Sequence, residues 1–420
     1  MPKDNLDPSA IAELLSARRA GHSLPAGLYT SPEVWKADCD AIFSRHWIAV
    51  GVACDVEEAG DVIALDIGPS SIVILRDDDN ELRAFHNVCS HRGARLVPPG
   101  RSVVGKLVCP YHQWTYDLDG ALALAPQMGR DLDRDLHHLK PVALRDVGGL
   151  LYACLSDDPP GDIDTLVEIA GPRLASYDLG QARIAFEEDI IEDGNWKLTL
   201  ENNRECYHCA SNHPQLSLSF HAADFGFDPE GLTETEQAEA DALAEAYARY
   251  NAYWAAEGLP FEAVEHTLGH ATNFRTQRLI IAGLGESQTP DTRAAVALPL
   301  GSDRPWLGDL HLWGINSWNH VMGDHAVIVA AYPIAAGRTL VRTKWLVHRD
   351  AVEGEDYDLE NLTTVWRTTN AEDAHLVGLA HQGVSSTGYR PGPYSRYTER
   401  AVDDFATWYV ERMRDHGYGA

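Results

Sequence analysis

Two short patterns, Cys89-Ser-His91 and Cys109-Pro-Tyr-His112, are separated by seventeen residues, and nothing else in the chain restricts its fold so tightly. Two thiolates and two imidazoles at these spacings are a donor set for a [2Fe–2S] cluster in which sulfur holds one iron and nitrogen the other. Neutral imidazoles lessen the negative charge of the reduced cluster and raise its potential above that of an all-cysteine cluster. Such a centre handles single electrons. To meet at one cluster, both patterns must sit on loops that approach from opposite sides. Each ends a short apolar run, Leu82 to Val88 and Lys106 to Val108, and each is followed by turn residues, Arg92-Gly93 and Asp119-Gly120. Paired strands feeding paired loops are therefore expected. A Cys2His2 zinc site uses the same donor types, but zinc fingers carry their histidines on a helix three to five residues apart, and His91 and His112 are not so placed.

The text around the patterns agrees. From about Cys39 to Leu155 it consists of β-type runs (WIAVGVAC, DVIALDI, SIVILRD, ELRAFHNV, KLVCPY, GLLYACL) broken by Gly, Pro, Asn and Asp, as in a small antiparallel β domain. Asp157-Asp-Pro-Pro-Gly161 punctuates the chain and marks a boundary. Ahead of the β region, residues 7 to 20 suit a short amphipathic helix with Asp7 or Ser9 near its N-cap and Gly21 beyond its end. Behind it lies a mixed region. Asn195 to His208 has helix-compatible spacing, and Thr233 to Glu257 is an Ala/Glu-rich helix ended by Gly258 and Pro260. Its Tyr247, Tyr250 and Trp254, three and four residues apart, suit a packing stripe. Strands are expected at Leu310 to Trp318, Ala326 to Tyr332 and Thr339 to Val347, then a last helix from Asp358 to about Ala380. The fold class is α+β. Residues 1–40 are expected to form a helical segment packing on the larger domain, 41–160 the cluster domain, and 161–420 that larger domain of antiparallel sheet and helices.

With 420 residues, 45% of them hydrophobic, the chain can bury two or three cores. A net charge of −29 argues against nucleic acid, whose phosphates need clustered Lys and Arg. It suits solubility or salt adaptation and selects no substrate. No apolar run approaches the roughly 18 residues of a membrane span, and the N-terminus has no charged-then-apolar leader. A cytoplasmic location is expected. Seven cysteines, odd in number and sparsely placed, suit reduced thiols.

A second metal site is written around Glu201-Asn-Asn-Arg-Glu-Cys-Tyr-His-Cys-Ala-Ser-Asn-His213-Pro214. On an unbroken helix His213 would turn about 140° away from His208. Pro214 resolves this, because the residue before a proline leaves the α region. The helix should end near Asn212 and let His213 fold back. Two imidazoles and one carboxylate make the facial triad of non-haem Fe(II), with positions left open for O2. Asp373 on the last helix is the preferred acid, with Asp324, Asp358 and Glu372 still open. Cys206 and Cys209 lack the second pair of a structural zinc site and suit small packing residues. Glu205, three residues before His208, can accept the second N–H of that imidazole.

The order Cys-x-His, Cys-x-x-His, Glu-x-x-His-x4-His and a late Asp resembles the oxygenase (alpha) subunit of Rieske non-haem iron oxygenases over essentially the whole chain. The stretches ENNRECYHC, SWNHVMGDH, TKWLVHRDAVEGEDYD and GYRPGPYS further resemble the branch acting on quaternary ammonium compounds such as glycine betaine. The resemblance implies a helix-grip-like catalytic domain. It implies that Cys89, His91, Cys109 and His112 bind the Rieske cluster, and that His208, His213 and Asp373 bind a mononuclear Fe(II). It also implies that Glu205 bridges the catalytic iron to the cluster of a neighbouring subunit in a head-to-tail homotrimer. Most of the wider family has Asp where this chain has Glu205, and the quaternary-ammonium branch has Glu.

Gly283-Leu-Gly285 lacks the third glycine of a dinucleotide fingerprint, so electrons from NAD(P)H must come through a separate flavin or iron–sulfur reductase. The implied reaction hydroxylates an N-methyl carbon with O2 and releases formaldehyde. A quaternary ammonium has no N–H, so aromatic faces must recognise it, and Trp313, Trp318 and Tyr389 are the candidates. Competing expectations are a Rieske oxygenase for aromatic or other apolar substrates, a pure electron carrier without a third iron, and a zinc protein.

Overall fold

The computed structural model describes residues 8–419 apart from 227, 229, 303 and 305; Asp7, one of the two N-cap candidates, lies outside them. Three short helices come first: α1 (Pro8–Ser16), α2 (Ala26–Thr30) and α3 (Pro32–Asp38). The first stops short of residue 20. The chain after it is drawn onto the C-terminal helix, where Asp403 Oδ1 accepts from Arg18 NH2 at 2.5 Å and from the Gly21 amide at 2.8 Å. Ser31 caps α3 by accepting the Glu33 and Val34 amides, while Pro32 occupies a first-turn position that needs no N–H.

Ten strands follow: β1 (Ile48–Val52), β2 (Asp61–Ile67), β3 (Ser70–Arg76), β4 (Leu82–His86) and β5 (Gly100–Val103), then β6 (Leu107–Val108), β7 (Thr115–Tyr116), β8 (Leu122–Leu124), β9 (Ala143–Val147) and β10 (Leu150–Cys154). They form three antiparallel sheets, β1-β10-β9, β4-β3-β2-β5 and β6-β7-β8. β2 and β3 are joined through Gly68-Pro69, with Gly68 at φ 54°, a left-handed value a β-carbon resists. Their alternation explains why both read as unbroken apolar runs. Val62, Ala64, Val73 and Leu75 enter the small core beneath the cluster loops, while Ile63, Leu65, Ile72 and Ile74 enter the large core shared with the rest of the molecule.

The larger region begins with α4 (Ile163–Leu174), β11 (Arg183–Glu192), α5 (Trp196–Asn202), α6 (Cys209–Asn212) and α7 (Glu234–Ala256). β12 (Val264–His266), β13 (Phe274–Leu279), β14 (Asp309–Trp313), β15 (Ser317–Val321), β16 (Ala326–Ala335) and β17 (Arg338–Val347) follow, then α8 (Leu359–Val384) and α9 (Arg400–Met413). Seven strands make one antiparallel sheet, β11-β17-β16-β15-β14-β13-β12, and α8 packs on β11 and α5. The expected strand Leu310 to Trp318 is in fact two. Gly314 donates its amide to Ser317 O at 2.8 Å, and the chain reverses there into a hairpin. Thr233 heads α7 with a capping box closed by Glu236, and Asp358 caps α8.

The cluster domain is bolted to this sheet. Asn316 at the β14–β15 turn exchanges two hydrogen bonds with the Ala49 backbone on β1. Lys344 on β17 lies 2.5 Å from Asp55, and Arg101 on β5 reaches both Asp55 and Glu187 of β11. The N-terminal segment is held as firmly: buried Asp38 accepts from Trp196, Lys197 and Tyr409.

Candidate metal centres

The four predicted cluster ligands occupy two loops of one design. Cys89 O accepts the Gly93 amide and Cys109 O the Gln113 amide, both at 2.9 Å. The residue closing each turn is left-handed, Gly93 at φ 76° and Gln113 at φ 59°. The loops therefore present their Cys and His side chains to a common point. The cysteines are buried, and the His91 and His112 rings lie edge to face with centroids 4.8 Å apart. Both Nδ1 atoms are buried without a hydrogen-bond partner. Two orphaned imidazole nitrogens beside two free thiols fit a His2Cys2 cluster. Trp114 stacks on His91, and the Tyr116 hydroxyl lies 3.3 Å from Cys89 Sγ. Sequence reasoning passed over Tyr116, which carries no motif.

The second centre departs locally from the expected helix. α5 ends at Asn202, and residues 203–208 run through turns before α6 begins. Glu205 thus meets His208 across a turn rather than along a helix face. α6 does stop at Asn212, and His213 leaves the α region at φ −120°, ψ 72°, as Pro214 requires. His208 Nε2 and His213 Nε2 face each other at 3.1 Å, and Asp373 Oδ1 stands 3.3 Å from the first and 3.0 Å from the second. That carboxylate oxygen nevertheless has no hydrogen bond and is buried. A triangle of these sides has a centre about 2 Å from each corner, the length of a metal–imidazole bond. A divalent cation fits, held on one face with its other positions free.

Carboxylates behind the ligands set the tautomers. Glu205 Oε1 accepts from His208 Nδ1 at 2.5 Å, and Glu372 Oε2 accepts from His213 Nδ1 at 2.8 Å. A carboxylate can only accept, so each Nδ1 carries the hydrogen and each Nε2 the lone pair a metal needs, with the Asn202 amide 3.3 Å from that of His208. Burial pushes His208 down, but Asp373 and Glu205 outweigh it and raise its pKa to about 9. Burial likewise raises the Asp373 carboxyl, and the two histidines bring it below its usual range. So much acid around two imidazoles is a demand for positive charge. The other acids left open are engaged elsewhere: Asp324 with Ser287 and the Ala295 amide, Asp358 at the α8 N-cap, Glu372 behind His213.

Cys206 and Cys209 are neither packing residues nor reduced thiols. They are joined as a disulfide with Cα atoms 4.9 Å apart, flanking His208, because the turn between them brings the two side chains to one side. The other five cysteines are free.

The three atoms open on a cavity of about 460 Å³. Of the aromatic candidates, Trp313 lines it, but Arg275 covers one face of its ring, 5.0 Å from the centroid. Trp318 is buried in the sheet beside Trp313 and is not part of the lining. Tyr389 is bonded instead to Ser23 and to Leu24 O, as a clasp for the N-terminal segment. The lining draws its other aromatic faces from Phe220, Phe225, Tyr247, Trp366, Tyr397 and Phe405. Tyr247 belongs to the stripe expected to be packing, whereas Trp254 in the same stripe is fully buried.

Residues 46–143 match the Rieske [2Fe-2S] domain family, and residues 181–415 match the ring hydroxylating alpha subunit (catalytic domain) family. The chain is 41% identical over 407 residues to the glycine betaine monooxygenase oxygenase subunit of Chromohalobacter salexigens, spanning 96% of this chain and 88% of that one. With the subunit of the same name from Pseudomonas aeruginosa it shares 38% over 415 residues, 98% of this chain and 94% of the other. In fold it is similar to the quaternary ammonium Rieske monooxygenase CntA in complex with L-carnitine, at a TM-score of 0.68 and 20% identity over 96% of this chain and 98% of that one. Naphthalene 1,2-dioxygenase from Rhodococcus sp. shares the fold at a TM-score of 0.66 and 17% identity over 99% of each chain. Two family matches in this order, on loops and side chains that fit a cluster and a mononuclear iron, place the chain among the Rieske non-haem iron oxygenases, as an oxygenase alpha subunit.

Proposed function

We propose that this subunit, fed with electrons by a separate reductase, hydroxylates an N-methyl group of glycine betaine or a similar betaine. The observation that carries the reading is the site itself: His208, His213 and Asp373 converge in the lining of a cavity walled also by Phe220, Phe225, Tyr247, Trp313 and Trp366. Aromatic faces are the surfaces that hold a cation without N–H groups. Identity of 41% to a glycine betaine monooxygenase oxygenase subunit supports the same substrate class.

In this reading Cys89, His91, Cys109 and His112 hold the cluster, and His208, His213 and Asp373 hold the iron. The two bound groups supply single electrons and O2 activation. Glu205 and Glu372 keep the His208 and His213 rings oriented. The aromatic walls exclude water and set one N-methyl carbon toward the metal end. One oxygen atom enters that C–H bond; the other leaves as water with two electrons from the reductase and two protons. The N-hydroxymethyl product then breaks its C–N bond, with nitrogen keeping the pair and the hydroxyl proton released, giving formaldehyde and an amine one methyl shorter. Glu205, 12% exposed at its side chain against 19% for His208 and bonded to His208 Nδ1, would carry electrons from the cluster of a neighbouring subunit in a head-to-tail trimer. A cytoplasmic location accords with an NAD(P)H-fed enzyme whose described residues include no helix long and apolar enough to cross a membrane.

Incubation of the purified holoenzyme with reductase, NADH and a panel of N-methylated betaines should release formaldehyde in step with loss of one methyl by mass. No formaldehyde from any of them would overturn the reading in favour of an apolar substrate.

A further inference from the structure

Two chemically different groups line the cavity. Asp373 and the two histidines form one. β14 supplies the other, His311 and Trp313, two residues apart and so on one face of the strand. Both line the cavity. His311 is 8% exposed, and its Nε2 is buried with no hydrogen-bond partner; Trp313 Nε1 is in the same condition. Buried nitrogens left unpaired are costly and uncommon. A trimethylammonium head cannot relieve them, because it has no lone pair to offer an N–H. An anionic group on the same molecule can.

The electrostatics of this second group suit an anion. Burial holds the His311 imidazole well below its usual range, with His320 and Arg275 adding to the effect. The ring is therefore neutral near pH 7, does not repel a cationic substrate, and keeps one N–H to give. Arg275, itself paired with Glu265 at 3.2 Å, lies over the Trp313 ring and leaves the indole edge with its N–H as the usable part of that side chain. β14 stands apart from the metal ligands. His311 pairs with His320, whose ring lies tilted against Trp366 with centroids 4.3 Å apart. Trp366 precedes Asp373 by seven residues on α8, about 10 Å along the helix axis.

We propose that His311, with Trp313 beside it, binds the carboxylate of a betaine and so selects betaines over methylammonium compounds that lack an anion. This rests on the function proposed above. The test uses holoenzyme with glycine betaine and with choline, which has the same trimethylammonium head and a hydroxyl in place of the carboxylate. Binding is measured anaerobically by calorimetry, and kcat/KM from formaldehyde release. His311→Phe should weaken glycine betaine about tenfold or more while choline stays within about twofold. His311→Gln, which keeps an N–H donor, should recover most of the loss. If His311→Phe disturbs the cluster absorbance, His311→Met removes the same donor. Equal losses for both compounds, or an unchanged affinity for glycine betaine, would overturn the proposal. The two readings fail separately: a wild-type enzyme inactive on every betaine rejects the function, whereas an active one with an undiscriminating His311 variant rejects only the carboxylate site.

Discussion

Exchange of Asp373 for alanine should cost the protein its mononuclear iron and its turnover while leaving the cluster spectrum intact, because the cluster ligands lie in a separate domain with a core of their own. Iron analysis beside the visible spectrum checks this: the two irons of the cluster remain and the third is lost. Tyr116→Phe is a subtler change. A cluster-bound Cys89 sulfur can only accept the Tyr116 hydroxyl, and a hydrogen bond to sulfur favours the more negative, reduced cluster. Its removal should lower the Rieske potential by tens of millivolts, since about 1 kcal/mol corresponds to roughly 40 mV for one electron, as redox titration followed by EPR would show. The cysteine and histidine candidates are legible from spacing because metal chemistry limits which side chains serve. Tyr116, His311 and the place of Glu372 behind His213 are not, because a hydroxyl, a ring nitrogen or an acid takes its meaning from what it faces.

At the scale of elements, the iron site depends on a short helix and the loop that leaves it. Asn195 opens α5 by accepting the Lys197 amide and also donates to Ala336 O in the β16–β17 turn. Asn195→Ala should reduce stability by about 1–2 kcal/mol, read as a lower Tm, with cluster absorbance retained in the folded protein. The helix stop at Asn212 could be read from Pro214, and the cap of α7 from Thr233 and Glu236, since both are local rules. The break after Asn202 could not, because nothing in that stretch forbids a helix. It is there that tertiary packing turns Glu205 toward His208 and brings Cys206 to Cys209. The hairpin at Gly314 was missed for a related reason: Ile315 and Asn316 are buried, so the turn looks like strand.

At the scale of the whole molecule, two domains are fastened by a buried charge cluster. Burial alone would raise the Asp55 carboxyl, but Lys344 and Arg101 hold it below its usual range. Its contribution to stability is therefore fully present above about pH 4, the unfolded value, and is lost as the pH falls toward the lowered native one. Lys344→Ala leaves Asp55 buried beside only the partly exposed Arg101 and should destabilise by about 3–5 kcal/mol at neutral pH. The Tm gap between wild type and variant should narrow on acidification, as protonation relieves the stranded carboxylate. Assembly is tested by mixing two inactive chains, His91→Ala and Asp373→Ala. Co-expressed, the two should regain turnover, as transfer between neighbouring subunits requires; a mixture that stays inactive would show that each chain serves only itself. By itself the sequence determined the metals, the order of the two domains and the class of chemistry, because ligand spacing, turn residues and strand alternation are local and strictly constrained. Only the tertiary structure decided which of four acids stands beside both histidines, which aromatic rings wall the cavity, and that two nitrogens on β14 wait there unpaired. Those choices depend on which surfaces meet across hundreds of residues, and no local pattern encodes that.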